Sequence, residues 1–191
     1  MVKTKAVLVI FLIFALPIVS YGQDVSGGGS KETRKEYYPD GKLKSLCEYN
    51  KAGLLDGTCK SYDQAGSVFL ENTYKDNMQT GRKNLYPNGA LQRVYTYKDG
   101  KMNGPSKQYY ESGKLKFEVN YKDGQAFGPS KGYYESGMLK SELTYKDGKA
   151  IGPFKQYYEK GMLKFETTYW DGQVIGTWKE YEENGKLKEI N

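Results

Sequence analysis

Histidine is absent from the 191-residue chain, cysteine and tryptophan occur twice each, and proline only six times. Without an imidazole there is no Ser-His-Asp triad, no histidine metal site and no histidine acid or base at neutral pH. Neither sign of charge dominates: 29 Lys and Arg stand against 23 Asp and Glu, leaving +6 spread along the chain. Such a balance describes a solvated surface and supplies too little positive charge to predict a nucleic-acid partner. Long apolar runs are also scarce, with a single one near the start. What the chain does have in quantity is tyrosine, 19 residues, and glycine, 23 residues.

The apolar run covers residues 6–19, preceded by Lys3 and Lys5 and followed by Ser20, Tyr21 and Gly22. A positive start, a short apolar core and small residues before a cut describe a secretory signal, with cleavage expected after Gly22. The run is short for a bilayer core of about 30 Å. The expected product is therefore exported, to the periplasm, the cell surface or the medium. Residues 23–32 include Gly27, Gly28 and Gly29 and only Val25 as a larger apolar group, so they read as a flexible linker.

From residue 33 the chain repeats. Gly41, Gly66, Gly89, Gly113, Gly137, Gly161 and Gly185 recur at a spacing close to 24 residues. Six residues before each stands a lysine: Lys35, Lys60, Lys83, Lys107, Lys131, Lys155 and Lys179. Eight residues after stands a tyrosine in six copies, among them Tyr97, Tyr121, Tyr145 and Tyr169. A second set of turns lies at Asp99-Gly100, Asp123-Gly124, Asp147-Gly148 and Asp171-Gly172. Two turn signals per copy, with alternating tyrosine-rich segments between them, predict one β-hairpin per repeat. The expected fold is all-β: an elongated antiparallel meander of about seven hairpin repeats over residues 33–191, forming a single-layer twisted ribbon.

Turn chemistry refines the register. In Tyr38-Pro39-Asp40-Gly41 the proline ring fixes φ near about −65°, which a two-residue type I′ hairpin cannot accept. A type I turn closed by a left-handed glycine can, so the loop is three residues long and Tyr110 should face Lys114, with Tyr109 facing Leu115. Strict alternation then places Tyr109, Leu115, Phe117, Val119 and Tyr121 on an apolar face. Tyr110, Lys114, Lys116, Glu118 and Asn120 fall on a charged one.

The pattern from Lys107 to Gly124, Lys-x-Tyr-Tyr-x-x-Gly-x-Leu-x-x-Glu-x-x-Tyr-x-x-Gly, resembles the bacterial variant of the MORN repeat, the membrane occupation and recognition nexus motif. The resemblance covers nearly the whole region after the linker, and the paired tyrosines and the Leu and Glu after the glycine are similar to antitoxin or immunity-like members. It implies a β-hairpin array used for binding, with no catalytic residue and no cofactor.

Candidate sites are few. Cys47 and Cys59 lie in adjacent strands of an exported chain, which makes them a candidate disulfide or, alternatively, two buried thiols. Lys116, Lys140 and Lys164 form a repeated basic row that either grips an anionic lipid or polymer or pairs with Glu118, Glu142 and Glu166. Tyr110, Tyr134 and Tyr158, set among charges, are the expected partner-contact residues, whereas the Tyr109 series is assigned to packing. The functional expectation is a non-enzymatic scaffold that binds a protein partner in the envelope or outside the cell. Alternatives are electrostatic binding to anionic membrane or cell-wall polymer and an antitoxin or immunity-type role.

Overall fold

The computed structural model describes residues 25–26 and 31–188. The expected signal segment, residues 1–22, lies outside the described residues. Of the expected linker, Val25 and Ser26 pair with Arg34 and Thr33, and the array begins at Lys31.

Sixteen strands and no helix are described: β1 (Val25–Ser26), β2 (Lys31–Tyr37), β3 (Leu43–Asn50), β4 (Leu55–Tyr62), β5 (Val68–Lys75), β6 (Met78–Leu85), β7 (Leu91–Lys98), β8 (Lys101–Met102), β9 (Gly104–Tyr109), β10 (Leu115–Lys122), β11 (Gln125–Tyr133), β12 (Leu139–Lys146), β13 (Lys149–Tyr157), β14 (Leu163–Trp170), β15 (Gln173–Val174) and β16 (Lys179–Glu180). Strands β1 to β7 and β9 to β15 pair antiparallel in chain order, with β8 also on β7 and β16 also on β14, so the sheet is an open meander of hairpins. Among the described residues no helix is long and apolar enough to cross a membrane.

The two turn families form for different reasons. At the first, Gly113 has φ 83° and its N–H donates to the Tyr110 carbonyl at 2.9 Å, while the Tyr110 N–H donates to the Lys114 carbonyl at 2.8 Å. This is the three-residue loop that proline and glycine demand, and Tyr109 duly faces Leu115. At the second, Asp123 and Gly124 both have positive φ, 51° and 86°, as a type I′ hairpin requires. The Gly124 N–H then donates to Met102 of the preceding repeat at 2.8 Å, and Gly148 and Gly172 repeat the contact onto Ala126 and Ala150. The Asp-Gly end of these three hairpins is thus tied to the neighbouring one.

Alternation does not run unbroken, and this corrects the expected faces. Leu115 pairs with Tyr109 but Phe117 pairs with Gln108, so Lys116 is an extra residue on its strand. The bulge turns the Tyr109 and Leu115 pair over, away from Phe117 and Val119. Tyr109 and Leu115 therefore share a face with Lys107 and Glu118. The equivalent Tyr133 shows it directly by donating its hydroxyl to Glu118 Oε1 at 2.8 Å. A second irregularity falls at Gly128-Pro129, where Val119 pairs with Ser130 but Asn120 pairs with Phe127. Proline has no N–H for the ladder and Gly128 has φ 74°, so the pairing has to open there.

The sheet consequently has a sheltered face and a ladder face. Among the described residues the four buried ones other than glycine, Cys47, Val119, Ser130 and Thr167, lie on the sheltered one. That face is mixed rather than wholly apolar: Phe117, Val119 and Tyr121 share it with Gln108, Ser130 and Ser141. Among the described residues no side chain is fully buried, as expected of a single layer with nothing stacked on it.

Candidate partner-binding face

Cys47 and Cys59 are direct cross-strand partners, with Cα atoms 3.9 Å apart, and they form a disulfide across β3 and β4. The register left open by the irregular turn at Lys51-Ala52-Gly53 thus comes out as a direct pair, the arrangement that brings Cβ atoms close enough to bridge.

On the ladder face, lysines and glutamates stand opposite one another across successive strands. Glu71 lies between Lys60 and Lys83, Glu118 between Lys107 and Lys131, and Glu142 between Lys131 and Lys155. Lys60 and Lys83 approach Glu71 at 3.4 and 3.6 Å, and Lys179 approaches Glu166 at 3.2 Å. Exposed pairs of this kind contribute at most about 1 kcal/mol each, so their main effect is to neutralise the face and fix register. The lysines that oppose the glutamates are those six residues before the repeat glycine.

Lys116, Lys140 and Lys164 have other neighbours. Their Nζ atoms sit 5.2, 5.4 and 5.5 Å from the ring centroids of Tyr110, Tyr134 and Tyr158, giving three equivalent cation–π pairs. The six residues singled out as contacts are therefore brought together pairwise in a row along one hairpin end. The same tyrosines also hold the array together. Tyr110, Tyr134 and Tyr158 each donate a hydroxyl proton to the carbonyl of Tyr133, Tyr157 and Tyr181 in the next repeat at 2.7 Å. Tyr38 and Tyr86 do the same to Tyr62 and Tyr109 at 2.7 and 3.0 Å. In the second copy Asp63 takes this position and instead accepts from the backbone of its own turn, from Ala65 and Ser67, at 2.9 Å each. The paired tyrosines of the first, fourth, fifth and sixth copies carried this role in the sequence, but only the spacing between neighbouring hairpins reveals it.

A second tyrosine series grips the preceding repeat. Tyr133, Tyr157 and Tyr181 donate to Glu118, Glu142 and Glu166 at 2.8, 2.6 and 2.9 Å. Burial first, and then the facing carboxylate, push Tyr133 and Tyr157 up to about 12, because both disfavour a phenolate. The stability these phenols contribute is complete below their ordinary value near 10 and is lost as pH rises toward 12. Replacing Glu118 by Gln should bring Tyr133 part of the way back toward 10, as read by the ring-carbon NMR shift of that residue. An unchanged titration would show that the Tyr133–Glu118 hydrogen bond does not form in solution.

Apolar surface is concentrated toward the last copies. Phe154 packs on Phe165 and Tyr169, with ring centroids 5.9 and 6.1 Å apart, and Trp178 lies 4.7 Å from Phe165. Trp178 comes from the segment between β15 and β16, where the strand continuous in the fifth and sixth copies is interrupted. Trp170, Ile175 and Trp178 all remain more than half exposed.

Two rows cross the sheltered face. In one, Arg93 is followed across the strands by Gln108, Phe117, Gly132, Ser141, Gln156 and Phe165, each the direct partner of the next. In the other, Cys59, Asn72, Arg82 and Tyr95 are successive partners, and Val119 with Ser130 and Phe154 with Thr167 lie further along. Both guanidinium groups in these rows, Arg82 and Arg93, thus fall in the third copy, where later copies carry rings and small residues at the same positions. Sequence reading missed this difference.

Comparison with known proteins recovers six of the seven expected copies. The model of the family described as "MORN repeat variant" matches residues 33–51, 55–76, 102–123, 128–147, 151–171 and 175–191, leaving out the third copy. No curated protein matches the chain in sequence. Among solved structures, a chain of the GtfA/B complex bound to UDP and GlcNAc is similar at 10% identity and a TM-score of 0.21. The alignment covers 85% of the present chain and 25% of that one, so the present chain spans a quarter of its length. With six matched copies distributed from residue 33 to the end, the chain belongs to the MORN repeat variant family.

Proposed function

We propose that this chain is a non-enzymatic scaffold that binds a protein partner across its open sheet, outside the cytoplasm. Repeats of this family commonly serve as protein- or membrane-binding scaffolds. One observation carries the reading: a single sheet has no second layer, and Cys47 and Val119 are the only buried hydrophobic residues among those described. Rings on both faces are left part-exposed, and an apolar surface of this kind marks a place where another molecule packs. The row of Lys116, Lys140 and Lys164 over Tyr110, Tyr134 and Tyr158 supplies amphipathic edge contacts beside it. The signal-like sequence of residues 1–22 supports an encounter in the envelope or beyond it.

Crosslinking and mass spectrometry on the chain in its native envelope fraction tests the reading. Crosslinks from Lys116, Lys140 or Lys164 to one recurrent protein are expected. Recovery of no protein above background, or capture of anionic lipid or polymer alone with a steep loss in salt, would overturn it.

A further inference from the structure

The third repeat copy, which the family model leaves out, is also the copy whose sheltered face departs most from its neighbours. Arg82 stands where later copies have Ser106, Ser130 and Phe154, and Arg93 stands where they have Phe117, Ser141 and Phe165. The chain has one other arginine, Arg34, and it is already engaged: its Nε lies 2.9 Å from Glu32 and its guanidinium 4.2 Å from the Tyr49 ring. Arg82 and Arg93 have no carboxylate within 4.0 Å among the described residues. Their contacts are neutral: Arg82 Nε donates to Asn84 Oδ1 at 3.2 Å, and Arg93 Nη1 to the Tyr95 hydroxyl at 3.4 Å. Arg82 pairs with Tyr95 and Asn84 with Arg93, so the guanidinium groups are diagonal neighbours on one face. Diagonal cross-strand positions are about 7–8 Å apart, within reach of two long side chains converging on one ligand.

We propose that Arg82 and Arg93 form an oxyanion site that receives the carboxylates of an extended acidic peptide segment, whose apolar continuation lies along the sheltered face toward Phe117 and Phe165. The inference rests on the scaffold reading above and names the partner's chemistry. Charge complementarity selects carboxylates at one end, because planar guanidinium forks pair with them in a fixed geometry. The other end follows from the rows: between β9 and β14 neither carries a charged side chain, and rings accumulate instead. From Arg93 to Phe165 the row crosses six strand spacings, about 29 Å at about 4.8 Å each, the reach of about nine extended residues. A free phosphate would use only the arginines and leave this strip idle.

A fluorescein-labelled decapeptide with two glutamates at one end, followed by alternating serine and leucine, is the probe, and its anisotropy is read against the full chain. The R82Q/R93Q variant should bind it about tenfold or more weakly, since each charged hydrogen bond lost is worth about that factor. The K107Q/K131Q variant removes the same charge from the ladder face and should bind as the unmodified chain does. Melting curves verify the fold, and R93Q alone, at an exposed position, serves if the double variant unfolds. Equal weakening by both double variants, no saturable binding at millimolar peptide, or a peptide without leucines binding equally well would each overturn the proposal. Envelope crosslinks that survive R82Q/R93Q would sink only the arginine site. Absent crosslinks with arginine-dependent peptide binding intact would sink the scaffold reading instead.

Discussion

Removing three hydroxyl groups, by Tyr110→Phe, Tyr134→Phe and Tyr158→Phe together, should cost about 3 kcal/mol of stability, about 1 kcal/mol for each inter-repeat hydrogen bond. Each hydroxyl spans from the start of one hairpin turn to the carbonyl of Tyr133, Tyr157 or Tyr181 in the next repeat at 2.7 Å. Phenylalanine keeps the ring and its place beside Lys116, Lys140 or Lys164, so the loss isolates the hydrogen bond. The comparison is the triple variant Tyr121→Phe, Tyr145→Phe and Tyr169→Phe, on the sheltered face. Those rings act through packing, and the change there should be within a few tenths of a kcal/mol per site. For a chain of this size, 3 kcal/mol lowers the melting midpoint by about 6–12 °C. Repeat arrays couple mainly to nearest neighbours, so the last four repeats should lose hydrogen-exchange protection first. Equal midpoints for the two triple variants would mean that the hydroxyl ladder does not hold the repeats together.

Much of the architecture was legible because it rests on turn chemistry. Pro39 and Pro87 exclude a two-residue turn, Gly113 supplies the left-handed residue, and Tyr109 and Leu115 meet as that loop length requires. The Asp-Gly pairs likewise mark the opposite hairpin end. Face assignment was harder, since period-two counting assumes that no strand carries an extra residue. Lys116 is such a residue, and one insertion moved Tyr109 and Leu115 from the expected apolar face to the face of Glu118. The second irregularity was visible in principle, because glycine followed by proline inside a strand, at Gly104-Pro105, Gly128-Pro129 and Gly152-Pro153, marks a break in the ladder.

The site was legible only in part. Tyr110 and Lys116 could be singled out by repetition, but their mutual contact depends on the bulge. The hydroxyl bond to the next repeat depends on lateral spacing, which one copy read alone does not contain. The arginines escaped notice for the opposite reason. Arg82 and Arg93 are exceptions to the repeat, and a search for period discards exceptions. Their convergence follows from cross-strand register, with Arg82 opposite Tyr95 and Asn84 opposite Arg93.

Transplanting the disulfide tests the central claim, that one 24-residue cadence sets the same lateral register in every copy. Val119 and Ser130 occupy the positions of Cys47 and Cys59 relative to their repeat glycines, and both pairs are direct cross-strand partners on the sheltered face. With Cys47 and Cys59 replaced by serine, Val119→Cys with Ser130→Cys should close a bridge under mild oxidation, read as a loss of two hydrogens in intact mass. A loop of this size adds about 3 kcal/mol to stability, offset by the lost packing of a buried valine. Val119→Cys with Lys131→Cys places the second thiol on the ladder face and should remain reduced. Bridging of the Ser130 pair alone is the predicted result; bridging through position 131, or through neither, would contradict the shared register.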